Sequence, residues 1–310
     1  MPRCRFLFPC DLGDPISSIH LSDTGCMAGT IMGKVWLFSS DTRQKELLAG
    51  FSEEGIRGLY LDEDAAYATL CEGCRSWRRE RPHAASGNVN FRSLDKKSTG
   101  NNIKHVLQRG KWACVLFPMS SAVVNVRGHE HHHRAFRLFD FNGCLSDVAP
   151  CDFDGENLVL VDRTPLNSPR VFRLVHLERN EHTELDQFPG ASHASVVKLW
   201  GKEYVAVAAD TVLYLYSYRS KETFQVLRGH SAEIVAVDAT DPEIVASMST
   251  DAVVKVWNGI TGQCLRTLNV PEATFFLGYP YYLAVRDKTV LVSADQGAYL
   301  MELDPVAGEG

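Results

Sequence analysis

Short apolar runs rich in Val, Ile, Leu and Ala recur along nearly the whole chain, and turn-forming residues separate them. The clearest stretch lies between Arg228 and Asn269. There SAEIVAVDA, EIVASMSTDAVVKVWN and QCLRTL follow one another with period-2 alternation, punctuated by Asp241-Pro242, Thr250-Asp251 and Asn258-Gly259. Alternation broken by such pairs predicts four antiparallel strands joined by tight turns. Looser copies recur: GCMAGTIMGKVWLF after Ile16, then GIRGLYL, AAYATL and CRSWRR, then WACVLF, SAVVNV and HRAFRLFDF. They continue as ENLVLVDR with SPRVFRLVHLE, as VVKLWG, EYVAVAAD and TVLYLYSY, and finally as ATFFLGY, YYLAVRD, TVLVSAD and AYLMEL. No segment sustains a 3.6-residue apolar period with caps at both ends. Asp62 to Leu70 comes nearest, but its flanks fit a strand, so helix content is expected to be low.

The copies follow at intervals of about 42 residues, within the 40 to 45 typical of four-stranded propeller blades. In the clearest copy the resemblance to the WD-repeat family becomes specific. Gly229-His230 matches that family's Gly-His pair, Trp257-Asn258 stands where it has Trp-Asp, and Asp251 precedes the tryptophan by six residues. Asn258 for Asp is the one departure in this unit. In the first copy Met32 replaces the turn aspartate and Phe38 occupies the tryptophan position. The resemblance implies an all-β fold, a seven-bladed propeller of four-stranded antiparallel blades spanning residues 1–310 as a single domain, with six or eight blades as alternatives. It also implies a structural tetrad of His230, Ser249 (or Ser247), Asp251 and Trp257. Such a ring must cover its open edge, and the family commonly does so with an N-terminal strand. Arg5 to Pro9 is placed for that task, although AYLMEL at 298–303 could equally be the last blade's outer strand.

Composition narrows the function classes. A 310-residue chain that is 45% hydrophobic and 23% charged suits a folded protein with a substantial core. A net charge of −6 argues against general affinity for nucleic acid, which calls for a basic face. No apolar run is long enough to span a bilayer; the nearest, Val196 to Tyr218, is broken by Lys198, Lys202, Glu203 and Asp210. The first residues lack a secretory pattern, and nine scattered cysteines read as reduced thiols. Together these features predict a cytoplasmic location.

Three local features invite chemistry. His230, Asp251 and Ser249 are the residue types of a catalytic triad, yet within one blade they are expected to supply hydrogen bonds to buried polar atoms. His129, His131 and His133 in the run GHEHHH are candidate metal ligands, but histidines in succession on a strand or hairpin tip do not converge without further support. No metal is therefore expected. Cys71 and Cys74 form a CxxC without the second pair that a structural zinc site requires.

The stretch 78–104 is rich in Ser, Gly and Asn and carries seven Lys or Arg against Glu80 and Asp95, a surplus of +5 in an acidic protein. It is expected to be a basic loop insertion, with Arg78, Arg79, Arg81, Lys96 and Lys97 facing an acidic partner. Arg78-Arg79 resembles the paired arginines of phosphoinositide-binding propellers, but Glu80 follows where that family has Gly. The resulting expectation is a non-catalytic scaffold for other proteins, without cofactor. A propeller that binds membrane surfaces through 78–104 is one alternative. An enzyme with a site in the central channel is another.

Overall fold

In the computed structural model the described residues are 5–22, 25–38, 45–50, 55–61, 65–70, 73–78, 85–90, 105–109, 111–116, 120–125, 133–137, 151–162, 171–177, 179, 181–185, 194–201, 203–239, 243–270, 282–286, 289–293 and 297–302. All their regular structure is β-strand, and no helix among them is long and apolar enough to cross a membrane.

The first strand, β1 (Arg5–Asp11), is followed by a sheet of β2 (Ile16–Ser22), β3 (Gly25–Thr30), β4 (Lys34–Phe38) and β5 (Lys45–Gly50). The second sheet holds β6 (Gly58–Leu61), β7 (Ala65–Thr69), β8 (Gly73–Arg78) and β9 (Ala85–Asn90). The third holds β10 (His105–Arg109), β11 (Trp112–Leu116), β12 (Ser120–Asn125) and β13 (His133–Arg137). The fourth comprises β14 (Cys151–Phe153), β15 (Asn157–Asp162), β16 (Val171–His176) and β17 (Glu181–Leu185). The fifth comprises β18 (Ala194–Trp200), β19 (Tyr204–Ala209), β20 (Val212–Ser217) and β21 (Glu222–Arg228). The sixth comprises β22 (Ile234–Ala239), β23 (Ile244–Ser249), β24 (Val253–Asn258) and β25 (Cys264–Asn269). The last contains β26 (Leu283–Arg286), β27 (Thr289–Ser293) and β28 (Gly297–Glu302), and β1 completes it. Every pairing is antiparallel between neighbours, and the leading strands β2, β6, β10, β14, β18, β22 and β26 lie each beside the next, with β26 returning to β2.

The competition for the outer edge of the last sheet is thereby decided. β28 is its third strand, and β1 pairs along it from Arg5 opposite Glu302 to Asp11 opposite Gly297. AYLMEL is thus flanked on both sides, and the N-terminal strand is the edge.

One expectation is corrected. The stretch 78–104 is not wholly a connection: β8 runs through Arg78, and Ala85–Asn90 is a strand, with Val89 opposite Cys74 and Asn88 opposite Arg75. An outermost strand pairs on one side only, so small and polar residues such as Ser86, Gly87 and Asn88 suffice there and leave no apolar signal to read.

The core lies between consecutive sheets. Leu174, Phe172 and Val159 of the fourth sheet meet Val197, Leu199 and Val207 of the fifth; Leu213 and Leu215 of the fifth meet Ile234, Val237 and Val245 of the sixth. Leu291 and Leu300 of the last sheet pack on Ile16, Cys26 and Phe38 of the first, joining the two ends of the series. Because each sheet is covered on both faces, the second strands are buried residue after residue, as in YVAVAA and IVASMS, rather than alternately. Burial of each Val or Leu contributes about 1.5–3 kcal/mol. Between the second and third sheets the backbones approach closely: a Cβ on Gly58 would lie 2.7 Å from the Cβ of Gln108. Glycine is what lets β6 sit there.

Candidate functional site

The sixth sheet holds the polar residues that the repeat pattern singles out. Gly229 turns the chain at φ +142°, a backbone conformation that residues with a Cβ rarely adopt, and so delivers His230 toward the sheet. The Trp257 indole N–H donates to Ser247 Oγ at 2.8 Å, and Ser247 Oγ lies 2.8 Å from His230 Nε2. On the far side of the imidazole, Ser249 Oγ lies 2.7 Å from Nδ1 and donates to Asp251 Oδ1 at 2.6 Å. Ser231 Oγ caps the other carboxylate oxygen at 2.7 Å.

One proton arrangement satisfies all of these contacts. Because Ser249 gives its proton to Asp251, His230 must carry hydrogen on Nδ1 and donate it to Ser249; Nε2 then accepts from Ser247. The imidazole is neutral in this chain. Burial, and the Lys255 ammonium beside it, hold His230 down at about 4, against an upward pull from Asp251. For Asp251, burial pushes the carboxyl up, but the hydrogen bonds from Ser249 and Ser231 outweigh it and keep it below its ordinary value.

The order of the groups matters for chemistry. A hydrolytic triad places the imidazole between hydroxyl and carboxylate, so that the carboxylate steadies the imidazolium. Here Ser249 stands between His230 and Asp251. Ser247, the other hydroxyl on the imidazole, is fully buried and already accepts from Trp257. Both serines tie the loop before β22 to β23 and β24. The hydrogen-bonded group thus has five members, Ser247 and Ser249 together with His230, Asp251 and Trp257, where a tetrad with one of the two serines had been expected.

A second polar group sits on the leading strands, and composition did not disclose it. Asp238 on β22 is buried. It accepts the backbone N–H of Val285 on β26 at 2.9 Å, with Lys198 of β18 at 3.1 Å and Arg109 of β10 at 3.8 Å. Burial alone would raise its carboxyl pKa, but the two cations and the Val285 N–H prevail and hold it below the ordinary carboxylate range. Asp152 on β14 repeats the backbone contact, accepting from Leu199 N–H at 2.7 Å. On β2, His20 bonds to the backbone of Leu61 on β6 and packs edge-on against Tyr60 with ring centroids 5.6 Å apart. Three times, then, a polar side chain on one leading strand holds the backbone of the next. The available signal was a charged residue inside an apolar run, as in VAVDA and VVKLW.

No protein-family model and no curated protein matches the chain. Among solved structures, the crystal structure of the computationally designed Ika8 protein is similar over 96% of this chain and 98% of that one, with a TM-score of 0.67 and 14% identity. At that identity the likeness is one of fold.

The remaining candidates are less fully placed. Arg78 closes β8 opposite Ala65, while Arg79, Arg81, Lys96 and Lys97 lie outside the described residues. His129 and His131 also lie outside them, and His133 is placed by its backbone alone, as the first residue of β13 opposite Val124. Cys74 stands in β8 opposite Thr69, and Cys71 lies outside. Among the described residues no three His, Cys, Asp or Glu side chains gather as a metal site would require.

Proposed function

We propose that the seven sheets are the blades of a closed WD-repeat-like propeller, and that the chain is a non-catalytic scaffold holding other proteins in an assembly. The observation carrying the scaffold reading is the state of the Ser-His-Asp group. Its hydroxyls are buried, its imidazole is neutral, and all its protons are engaged within the sixth sheet. Residues of the types that could do chemistry are spent on linking strands. Ring closure draws support from the cyclic adjacency of the leading strands and from β1 completing the last sheet. A rigid frame of this kind presents its connecting loops for binding.

The partner-facing part in this reading is the basic stretch around Arg78, Arg79, Arg81, Lys96 and Lys97, with an acidic protein surface opposite. The test is co-purification of the tagged chain from its native source at low salt, followed by reconstitution with the recovered partner. Stoichiometric complex formation that weakens when the five basic residues become Ser, and weakens less at high salt, supports the reading. A chain that elutes alone, or one whose complex ignores the five substitutions, overturns it.

A further inference from the structure

The fifth sheet ends on β21, and no described strand lies beyond it. We propose that this edge pairs with the same edge of a second copy of the chain, in an antiparallel dimer related by a two-fold axis.

The last strand of a sheet leaves a row of backbone N–H and C=O groups open, and proteins blunt such edges with charge, proline or weak strand formers. The other edges here are blunted in this way. Glu46 lies within β5, Gly87 within β9, Arg134 within β13, Glu184 within β17 and Arg266 within β25, while β1 carries Pro9. β21 is not: between Glu222 and Arg228 it reads TFQVL, uncharged and without Gly or Pro. On this strand Phe224 is 38% and Val226 40% exposed, large apolar side chains left facing water. The strand is also held in place. Leu227 is buried against the sixth sheet, and Gln225 Nε2 donates to the Ile260 carbonyl at 2.8 Å. An edge fixed beforehand loses little freedom on pairing.

Charge selects a second copy. β21 starts on an acid, Glu222, and ends on a base, Arg228, both exposed. Laid antiparallel, each copy's Glu222 end runs beside the other's Arg228 end, and the two Val226 side chains come near the axis. Lys221 falls in the preceding turn, outside the paired stretch. A segment of one charge sign would satisfy one end of β21 and oppose the other. Two-fold pairing closes on itself and consumes this edge in both copies, so assembly stops at two. The bulge at Phe224, where β21 carries one residue more than β20, further discourages stacking into longer sheets. A single strand edge is small beside the about 800 Å² per partner of a standard interface, so the dimer is reversible and appears as concentration rises.

The test is sedimentation equilibrium of the full chain over a wide concentration range at low salt, with a monomer–dimer equilibrium as the expected result. Val226→Lys sets two ammonium groups near the axis and should weaken the dimer at least about tenfold, with an unchanged melting temperature. Glu222→Lys should also weaken it about tenfold, since two attractions become repulsions; adding Arg228→Glu should restore it. Should Val226→Lys fail to fold, the charge exchange decides alone. A monomer at every concentration, a dimer indifferent to Val226→Lys, or an exchange that restores nothing overturns the proposal. A monomer whose Val226→Lys form loses its partner on co-purification would assign the edge to a partner's strand instead of a second copy. The five basic residues of the scaffold reading lie outside β21, so their substitution should leave self-association unchanged, and either reading can fail without the other.

Discussion

Val285 on β26 gives its backbone N–H to the carboxylate of Asp238 on β22, across 2.9 Å between adjacent sheets. The same carboxylate receives Lys198 from the sheet before, so one side chain joins three consecutive sheets. Removing it would leave the Lys198 ammonium, 19% exposed, without its counter-charge. Asp238→Ala is expected to cost about 3 kcal/mol in urea unfolding, as for a buried ion pair broken from one side. Asp238 also makes stability depend on pH. Its folded pKa lies below its ordinary 3.8, so its contribution is complete above that value and fades as pH falls through the folded pKa. In Asp238→Ala the acid limb of a stability-against-pH curve should flatten.

The histidines set a second pH window. His20 and His230 are both held down at about 4, burial being the larger cause in each, while the unfolded chain titrates near the ordinary 6.5. Between those values the unfolded state binds more protons, so stability is complete above about 6.5 and declines toward 4. A melting temperature that stays flat between pH 7 and pH 4.5 would contradict the neutral, buried assignment of both rings.

Within the sixth sheet, Trp257→Ala should cost about 3–5 kcal/mol, because it opens a cavity between two sheets. His230→Ala should cost about 1–3 kcal/mol by stranding Ser247 and Ser249. Trp257→Phe isolates the indole N–H and is expected near 1 kcal/mol for that hydrogen bond alone. Chemical denaturation of the three variants checks their order. If His230→Ala keeps native stability while partner binding is lost, its role is recognition rather than structure.

Ala252 sits in the turn between β23 and β24 at φ +63°, a left-handed conformation that its Cβ disfavours. Ala252→Gly should therefore stabilise the protein by about 1 kcal/mol, read as a higher urea midpoint with unchanged slope. A lower midpoint would mean that Ala252 contributes packing worth more than the strain.

How much of this could be read in the sequence differs from sheet to sheet. The sixth sheet was legible because Gly229-His230, Asp251 and Trp257 mark a hydrogen-bonded group at fixed spacing, and the same atoms meet in space. β9 was not, since an outer strand does not require the apolar residues by which a strand is recognised. Asp238, Lys198 and Arg109 were missed for another reason. Each looks like a stray charge, and only the packing of leading strands from distant parts of the chain brings them together. Closure was ambiguous because Arg5 to Pro9 and AYLMEL both read as strands, and register alone assigns one of them to the edge.

Deleting residues 1–11 should expose β28 along its length, leaving an apolar edge beside the first sheet. The truncated chain is expected to aggregate on size-exclusion chromatography. A monomer with an unchanged melting temperature would show that β1 does not seal the last sheet.

The pairing of β1 with β28 also bears on how the protein is made. β1 leaves the ribosome long before β28, the strand it pairs with, so it stays without that partner while the six sheets between them are synthesised. Six sheets can pair as local hairpins as they emerge, but the seventh must wait until Gly297–Glu302 is free of the exit tunnel. Loop-closure entropy rises by only about 0.6 kcal/mol for each doubling of length, so the delay is set mainly by order of arrival. Nascent chains halted before residue 297 would then carry an unlatched end, the form on which a holding chaperone would act.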